Sequence, residues 1–210
     1  NALFNNTTAG YNTVVGYQAG YSNQTGQGMA ALGYQALYSS TGDNNAAFGN
    51  SAARSTTTGV NNVAAGTNSL YTNTTGSYNV ALGNSALYSN TTASYNTAVG
   101  YQAGYSNTTG GITAFGFEAG YGNTTGTYNN ALGYRALRTN TTGAYNVAVG
   151  TALFNNTTGS YNIGIGWQAL DNNTTASNNT AVGYQAGYTN TTGNITAMGY
   201  KALSAHTTDR

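Results

Sequence analysis

The chain is dominated by one short repeat. The phrase YNTAVGYQAGYSNTTG at Tyr95 returns almost unchanged as NTAVGYQAGYTNTTG at Asn179. A glycine closes the apolar part of each copy, and these glycines follow one another at every sixteenth or seventeenth position: Gly16, Gly33, Gly49, Gly66, Gly83, Gly100, Gly116, Gly133, Gly150, Gly166, Gly183 and Gly199. This period is shorter than the roughly 20 to 50 residues of helical-pair, ankyrin or propeller units. It predicts an all-β solenoid, a parallel β-helix or β-roll, with one coil per repeat.

Each position of the repeat forms a column when the copies are aligned on this anchor glycine. Two places before it stands alanine in ten of twelve copies, which indicates tight packing. One place before it the residue is apolar but varied in size, from Val15 to Met198, and we expect a core ladder there. Four places after it Gly and Leu alternate. We expect large residues of the first column to face small ones of the second, as Phe48 with Ala53, because core volume must stay constant.

The predicted coil has two extended parts. A strand runs through NTAVG, the chain bends at the glycine, a second extended piece runs through YQALY, and Asn, Thr, Gly and Ser turn the chain back. Coils stack about 4.8 Å apart, so that like residues form ladders, and Asn and aromatic ladders stabilise such stacks. Residues 1–210 then form a single array of about twelve repeats. Because neither end shows a cap, we expect an uncapped fragment of a longer fibre.

The composition excludes several functions. Charged residues make up 4% of the chain and the formal net charge is +1, so no basic stripe for nucleic acid is predicted. The chain has no cysteine, which is compatible with export but does not fix a compartment. No segment has the roughly 18 uninterrupted apolar residues of a membrane helix. We therefore expect neither nucleic-acid binding nor membrane insertion.

Asparagine followed by x-Thr recurs six or seven places after the anchor glycine. Each copy is formally an acceptor for N-glycosylation: Asn23, Asn73, Asn90, Asn107, Asn123, Asn140, Asn156, Asn173 and Asn190. The alternative is an amide ladder inside the turn, and Ser40, Thr56 and His206 interrupt the column as a ladder would tolerate. Glycans on rungs about 4.8 Å apart would collide in a single-chain solenoid, whereas three intertwined chains would spread the rungs.

Tyrosine and threonine suggest two binding surfaces. The chain has 19 tyrosines, and tyrosine surfaces bind sugars and proteins at low entropic cost. The candidate ligand surface is Tyr101, Tyr105, Tyr184 and Tyr188, and the alternative is that the rings cover apolar strand faces or fill a seam between chains. Regular threonines on a rigid solenoid also suggest ice binding. The threonines are adjacent, as in NTT, so only one of each pair can point outward from a strand.

No catalytic constellation is present in the sequence. The only histidine, His206, lies near Asp209 in the last few residues, and the other acidic residues, Asp43, Glu118 and Asp171, occupy different columns. Calcium-binding β-rolls need an acidic residue in each turn, and no phosphate-loop lysine follows the glycines. We therefore predict no enzyme, no cofactor and no metal site.

The repeat resembles two kinds of known protein. NTAVGYQALYSNTTG, approximated at 79–92, 96–110 and 180–193, is similar to repeats of bacteriophage tail-fibre-like proteins and large surface proteins of aquatic bacteria. The shorter pattern in NVALGNSA at Asn79 and NTAVGYQA at Asn96 resembles the head repeats of trimeric autotransporter adhesins. Those heads are left-handed parallel β-rolls that associate in threes. Their repeat is shorter and lacks a counterpart of YSNTTG.

These resemblances imply a structural role outside a cell. The expectation is a shaft of an extracellular, cell-surface or virion fibre that associates with itself, as a trimer or another multichain filament. The alternatives are an adhesin segment that binds carbohydrate and an ice-binding solenoid.

Overall fold

The computed structural model describes residues 1–191 and 194–205. In this part of the chain there is no helix, and twelve short strands follow one another. They are β1 (Thr13–Val15), β2 (Ala30–Leu32), β3 (Ala46–Phe48), β4 (Val63–Ala65), β5 (Val80–Leu82), β6 (Thr97–Val99), β7 (Ile112–Phe115), β8 (Asn129–Leu132), β9 (Val147–Val149), β10 (Ile163–Ile165), β11 (Thr180–Val182) and β12 (Thr196–Met198).

All twelve strands belong to one parallel sheet whose spatial order is their sequence order. Each strand pairs with its counterpart one repeat later, so that Ala81 is opposite Ala98 and Leu82 is opposite Val99. Only a chain that makes one full coil per repeat brings successive strands together in this order. The predicted β-solenoid, with a coil of sixteen or seventeen residues, is confirmed, and it has about eleven turns.

The core is thin and consists mostly of alanine. The alanine two places before the anchor glycine points inward from each strand, and a second small column three places after the glycine faces the interior, as Ala81 and Ala86 do in one coil. Leu87 and its equivalents fill the space between these columns. Small side chains let the opposite walls of the coil approach closely, which is the tight packing that the alanine column predicted.

The apolar column one place before the glycine is not a core ladder, so this prediction was wrong. Val15, Leu32, Phe48 and Phe115 are 58%, 52%, 45% and 40% exposed. Successive side chains of a strand point to opposite faces, and the inward position is taken by the alanine between the two outer residues. The outer face of the sheet therefore carries an apolar residue in every coil.

The second extended piece is also absent from the structure. The YQALY segment is a turn in which left-handed residues alternate with others: Gln102 has φ 52° and Leu87, in the preceding coil, has φ 50°. The left-handed region carries a steric cost for residues with a Cβ. The position of Leu87 and its equivalents is glycine in four coils. Glycine adopts the left-handed backbone without this steric cost, but it leaves core volume that another residue must fill.

Large and small residues do compensate in the core, but through a different pair of columns. In four coils glycine replaces leucine four places after the anchor glycine. Next to these glycines, Met29, Ile112 or Ile195 replaces the asparagine that otherwise stands four places before an anchor glycine. A Cβ on Gly20 would meet Met29 Sδ at 3.1 Å, and a Cβ on Gly187 would meet Ile195 Cδ1 at 2.9 Å. The predicted partner column, with Phe48 and Phe115, lies on the outside.

Candidate functional site

Two ladders of buried asparagine run along the coil axis. In the first, the turn ladder, Nδ2 of Asn90 donates to Oδ1 of Asn73 at 2.9 Å and to the carbonyl oxygen of Ala93 at 3.0 Å. The same pair of bonds recurs for Asn107, Asn123, Asn140, Asn156 and Asn173. Each amide therefore closes its own turn and ties it to the preceding coil.

The second ladder, the strand ladder, was not predicted from the sequence. Oδ1 of Asn62 accepts from both the main-chain N–H and Nδ2 of Asn79, at 3.0 and 3.1 Å, and Asn79 Nδ2 also donates to the carbonyl oxygen of Ala93. The members are Asn45, Asn62, Asn79, Asn96, Asn129, Asn146, Asn162 and Asn179, all buried. The signal was available, because asparagine recurs four places before the anchor glycine.

The asparagines proposed as glycosylation acceptors lie in the turn ladder. All nine, from Asn23 to Asn190, are fully buried. A glycan would have to be attached at Nδ2, which in Asn107 already donates to Asn90 and to Gly110 inside the coil. Attachment at this atom is incompatible with this packing, so the geometry corresponds to the amide-ladder alternative.

The first aromatic ladder consists of the residues that directly follow the anchor glycine. Tyr101, Phe117 and Tyr134 stack with ring centroids 5.2 and 5.4 Å apart. Tyr17 stacks on Tyr34, and Tyr184 on Tyr200. Two of the four predicted ligand residues, Tyr101 and Tyr184, therefore stand in this ladder, nearly half exposed but separated by several coils.

The second aromatic ladder lies four residues further along each coil. Tyr71, Tyr88, Tyr105 and Tyr121 stack at 5.1 Å. Where an arginine takes a ring's place, its guanidinium continues the stack: Arg54 lies 5.1 Å from the ring centroid of Tyr38 and 5.8 Å from that of Tyr71. Arg138 lies in the same way between Tyr121 and Phe154. Cation–π contact makes this substitution favourable.

Tyr105 and Tyr188, the other two predicted ligand residues, belong to the second ladder. Both faces of the Tyr105 ring are covered by Tyr88 and Tyr121. Burial raises the pKa of Tyr105, and the neighbouring phenols of Tyr88, Tyr121 and Tyr101 add to the increase. The structure does not bring the four predicted tyrosines into one cluster, and Tyr105 can offer a ligand only its edge and hydroxyl.

The third aromatic ladder lies just before the strands. Tyr78 stacks on Tyr95 at 5.2 Å, and Tyr145 lies 5.0 Å from both Tyr128 and Tyr161. These tyrosines have left-handed backbones, and the same column holds asparagine at Asn44 and Asn61. Asparagine tolerates the left-handed conformation better than most residues, which explains why it can replace tyrosine in this column.

One compact charged cluster, formed by Glu118, Arg135 and Arg138, lies beside the first two ladders. Glu118 Oε2 accepts from Nε of Arg135 at 2.9 Å and from Nε of Arg138 at 2.7 Å. Burial raises the pKa of Glu118, but the hydrogen bonds and charges of Arg138 and Arg135 outweigh it and hold the pKa below its ordinary value. Two arginines share one carboxylate, so the cluster carries a net charge of +1.

Two cavities lie where an aromatic ladder lacks a ring. One has a volume of about 380 Å³ and lies at Gly111, between Tyr95 and Tyr128 of the third ladder. The other has a volume of about 230 Å³ and lies at Thr151, between Tyr134 and Trp167 of the first ladder. Each belongs to a coil of the shorter of the two lengths. The remaining residues that line the second cavity are Arg135, Phe154, Asn155, Gln168 and Asp171.

The threonine pairs divide into an engaged and an exposed column. The first threonine donates its hydroxyl along the coil axis, as Thr74 Oγ1 does to the carbonyl oxygen of Thr91 at 3.0 Å. The second, as Thr92, is exposed. The surface therefore presents one column of threonine hydroxyls to solvent.

Other classes of site are not seen in the described part of the chain. Within residues 1–191 and 194–205 no three His, Cys, Asp or Glu side chains gather as metal ligands. The same residues include no helix that could cross a membrane. His206 and Asp209, the accidental pair noted in the sequence, lie outside the described residues.

Comparison with known proteins gives no family for this chain. No family model, no curated protein and no solved structure matches it.

Proposed function

We propose that the chain is a stiff structural segment of an extracellular fibre, in which copies of the chain pack side by side through the outer face of the sheet. The observation that carries the proposal is the apolar column on this face. Leu132 and Ile165 are 38% and 37% exposed, and an apolar residue stands at this position in every coil. A continuous apolar surface of this length is typical of an interface rather than of a solvated monomer.

A second copy of the chain suits this face best. The face has the period of the coil, so that an identical column can interdigitate along its whole length without losing register. The strand residues of every coil are uncharged, so neither like charges nor buried ion pairs oppose the contact. The resemblance to trimeric adhesin heads favours three copies and a location on a cell surface or virion.

The proposal is tested by the oligomeric state of the full chain. We expect analytical ultracentrifugation to show an oligomer, and electron microscopy to give a mass per length of three chains per coil rise of about 4.8 Å. The triple variant Phe48→Thr, Phe115→Thr and Leu132→Thr should dissociate while keeping its circular dichroism spectrum, because threonine suits a strand.

A matched control removes three exposed side chains that lie outside the strands. Tyr78→Asn, Tyr145→Asn and Tyr161→Asn place in the third ladder the residue that this column holds at Asn44 and Asn61. This variant should keep the oligomeric state of the parent chain. A parent chain that sediments as a monomer at every concentration would contradict the proposal.

Binding of carbohydrate is the second candidate function. It is supported by the exposed rings of the first and third ladders and by the two cavities where these ladders are interrupted. Aromatic side chains with polar neighbours suit sugars, because the ring stacks on C–H groups while the neighbours bond to hydroxyls. Ice binding has weaker support, since the described coils present a single exposed column of threonine from the NTT pairs.

A further inference from the structure

The cavity at Thr151 arises from a one-residue deletion. The step from Gly150 to Gly166 is one position shorter than the step from Gly133 to Gly150, and TALF stands where most coils have a longer phrase such as YQALY. Thr151 closes the backbone with its hydroxyl: Gln168 N–H donates to Thr151 Oγ1 at 3.1 Å, whereas in other coils the same N–H donates to a main-chain carbonyl. A small side chain thus completes the coil and leaves the ring position empty.

The walls of the cavity are two aromatic rings of the first ladder. Neighbouring rings of this ladder are 5.2 to 5.4 Å apart, so Tyr134 and Trp167, two coils apart, leave roughly 10 Å between their planes. That space admits one further ring. At about 230 Å³ the cavity is smaller than the pockets of about 300 to 1,000 Å³ that hold drug-sized ligands, so a single ring is the appropriate occupant.

A buried carboxylate supplies the polar group. Asp171 lines the cavity and is only 9% exposed. Among residues 1–191 and 194–205 no ion pair involves it, and burial alone raises its pKa. No side-chain hydrogen bond to this carboxylate forms among the same residues, and its oxygens still reach solvent, so the carboxylate opens onto the cavity and is free to accept hydrogen bonds from a ligand.

The charges around the cavity favour an uncharged ligand. Arg135 shares the Glu118 carboxylate with Arg138 and lies over the rings of Phe117 and Tyr134, and the Asp171 carboxylate offsets the one positive charge that this cluster retains. Asp171 would repel an anion. A cationic ligand would have to share the Tyr134 ring with the Arg135 guanidinium, which lies 5.0 Å from its centroid.

We propose that this cavity binds one pyranose ring of a neutral glycan. Tyr134 and Trp167 lie on either side of the sugar ring, and Asp171 accepts hydrogen bonds from its hydroxyls. Gln168 and Asn155 line the same cavity and can bond to neighbouring hydroxyls. This inference rests on the carbohydrate-binding candidate and gives it a location; the side-by-side fibre does not depend on it.

Trp167 reports directly on the site, because it is the only tryptophan of the chain. The full chain is titrated with cellotetraose, maltotetraose, chitotetraose and mannotetraose while tryptophan fluorescence is followed. We expect a saturable change with at least one of these sugars. The absence of saturation with all four, or saturation by tetramethylammonium instead, would overturn the proposal.

Thr151→Tyr is the decisive variant, because it fills the empty ring position. If the added ring only extends the stack and the gap binds no sugar, affinity for the sugars stays unchanged and stability can increase. The proposal expects the affinity to fall at least tenfold. The matched control is Thr67→Tyr, which adds a ring to the same column away from the cavity. Asp171→Asn keeps the shape of the site and should weaken binding at least fivefold.

A second readout separates this site from carbohydrate binding elsewhere. Retention of the chain on the same sugars is measured by affinity electrophoresis for the parent and for Thr151→Tyr. Loss of both signals in the variant supports the cavity. Retention that Thr151→Tyr leaves unchanged contradicts the cavity while keeping the carbohydrate-binding candidate, and neither result alters the test of the fibre.

Discussion

At the scale of single residues, the anchor glycine determines where the coil bends. Gly83 has φ 130°, a backbone region that residues with a Cβ essentially avoid. A Cβ at this position would overlap the carbonyl oxygen of Gly100 in the next coil. The glycine is thus required by its own conformation and by the close approach of the neighbouring coil.

Gly83→Ala should therefore destabilise the chain by about 3 kcal/mol or more, because the backbone cost of roughly 1 to 3 kcal/mol adds to the clash. Gly10→Ala is the matched control, since a Cβ at Gly10 would meet no atom within 4 Å. Thermal unfolding of both variants measures the difference. Equal melting temperatures would show that the coil can bend without glycine.

The turn ladder gives a second prediction at the residue scale. Asn107→Ala removes the donor to Asn90 Oδ1 and to the carbonyl oxygen of Gly110, both of which are buried. Each buried acceptor left without a partner costs about 1 to 3 kcal/mol, so we expect a loss of at least about 2 kcal/mol in the free energy of unfolding from denaturant titration. Thr109→Ala, at an exposed threonine of the same turn, should change stability by less than about 0.5 kcal/mol.

At the scale of the coil, the sequence predicted the strand but assigned one of its faces incorrectly. The short period of the repeat was sufficient to predict parallel strands, because successive copies can pair in register only in a solenoid. The alternation along a strand left two interpretations for Ala81 and Leu82: either could face the core. Hydrophobicity favoured leucine, but the thin core has room only for alanine.

The columns that compensate for each other in the core can be tested by a double-mutant cycle. Gly120→Leu overlaps Ile112, and Ile112→Asn leaves a void against Gly104 and Gly120, so each change alone should cost about 1 to 4 kcal/mol. Together they restore the Leu and Asn combination of most coils beside position 120, while the space beside Gly104 stays open. We expect a favourable coupling of about 2 kcal/mol.

The control for this cycle is a distant pair. Gly20→Leu overlaps Met29 rather than Ile112, so its effect should add to that of Ile112→Asn within about 0.5 kcal/mol. Additivity of Gly120→Leu with Ile112→Asn as well would show that the two columns do not share a core volume.

The candidate binding site could be predicted from the sequence less completely than the fold. The four predicted tyrosines form two pairs with a spacing of four residues, but the turn places the two members of each pair, such as Tyr101 and Tyr105, in different ladders. The cavity forms because Thr151 has no aromatic ring in a column where other coils do. The sequence shows this absence, but it predicts a cavity only once the residues in the adjacent coils are known to stack. The short coil was the available signal.

At the scale of the whole molecule, the low charge content makes stability depend little on electrostatics. Only nine Lys, Arg, Asp and Glu residues are present in 210, so hydrogen-bonded ladders and packing hold the coils together. Two buried carboxylates are the exceptions, and their pKa values shift in opposite directions. The pH dependence of unfolding therefore separates the charged cluster from the cavity.

The pKa of Glu118 is lowered by Arg138 and Arg135, which outweigh its burial. Its contribution to stability is present above the ordinary value of 4.5 and is lost as pH falls through the lowered value. The pKa of Asp171 is raised by burial from its ordinary 3.8. Its contribution has the opposite sign: it is present below 3.8 and is lost as pH rises through the raised value.

The two effects partly cancel in the parent chain when pH falls from 7 to 3, and single variants should reveal them. Glu118→Gln removes the acid-induced loss, so its melting temperature should rise relative to the parent as pH falls. Asp171→Asn removes the cost of a buried charge and should be more stable than the parent at pH 7, with the advantage disappearing in acid. Differential scanning calorimetry across this range measures both. Parallel pH profiles for the parent and Asp171→Asn would mean that the Asp171 carboxylate is solvated rather than buried in the cavity.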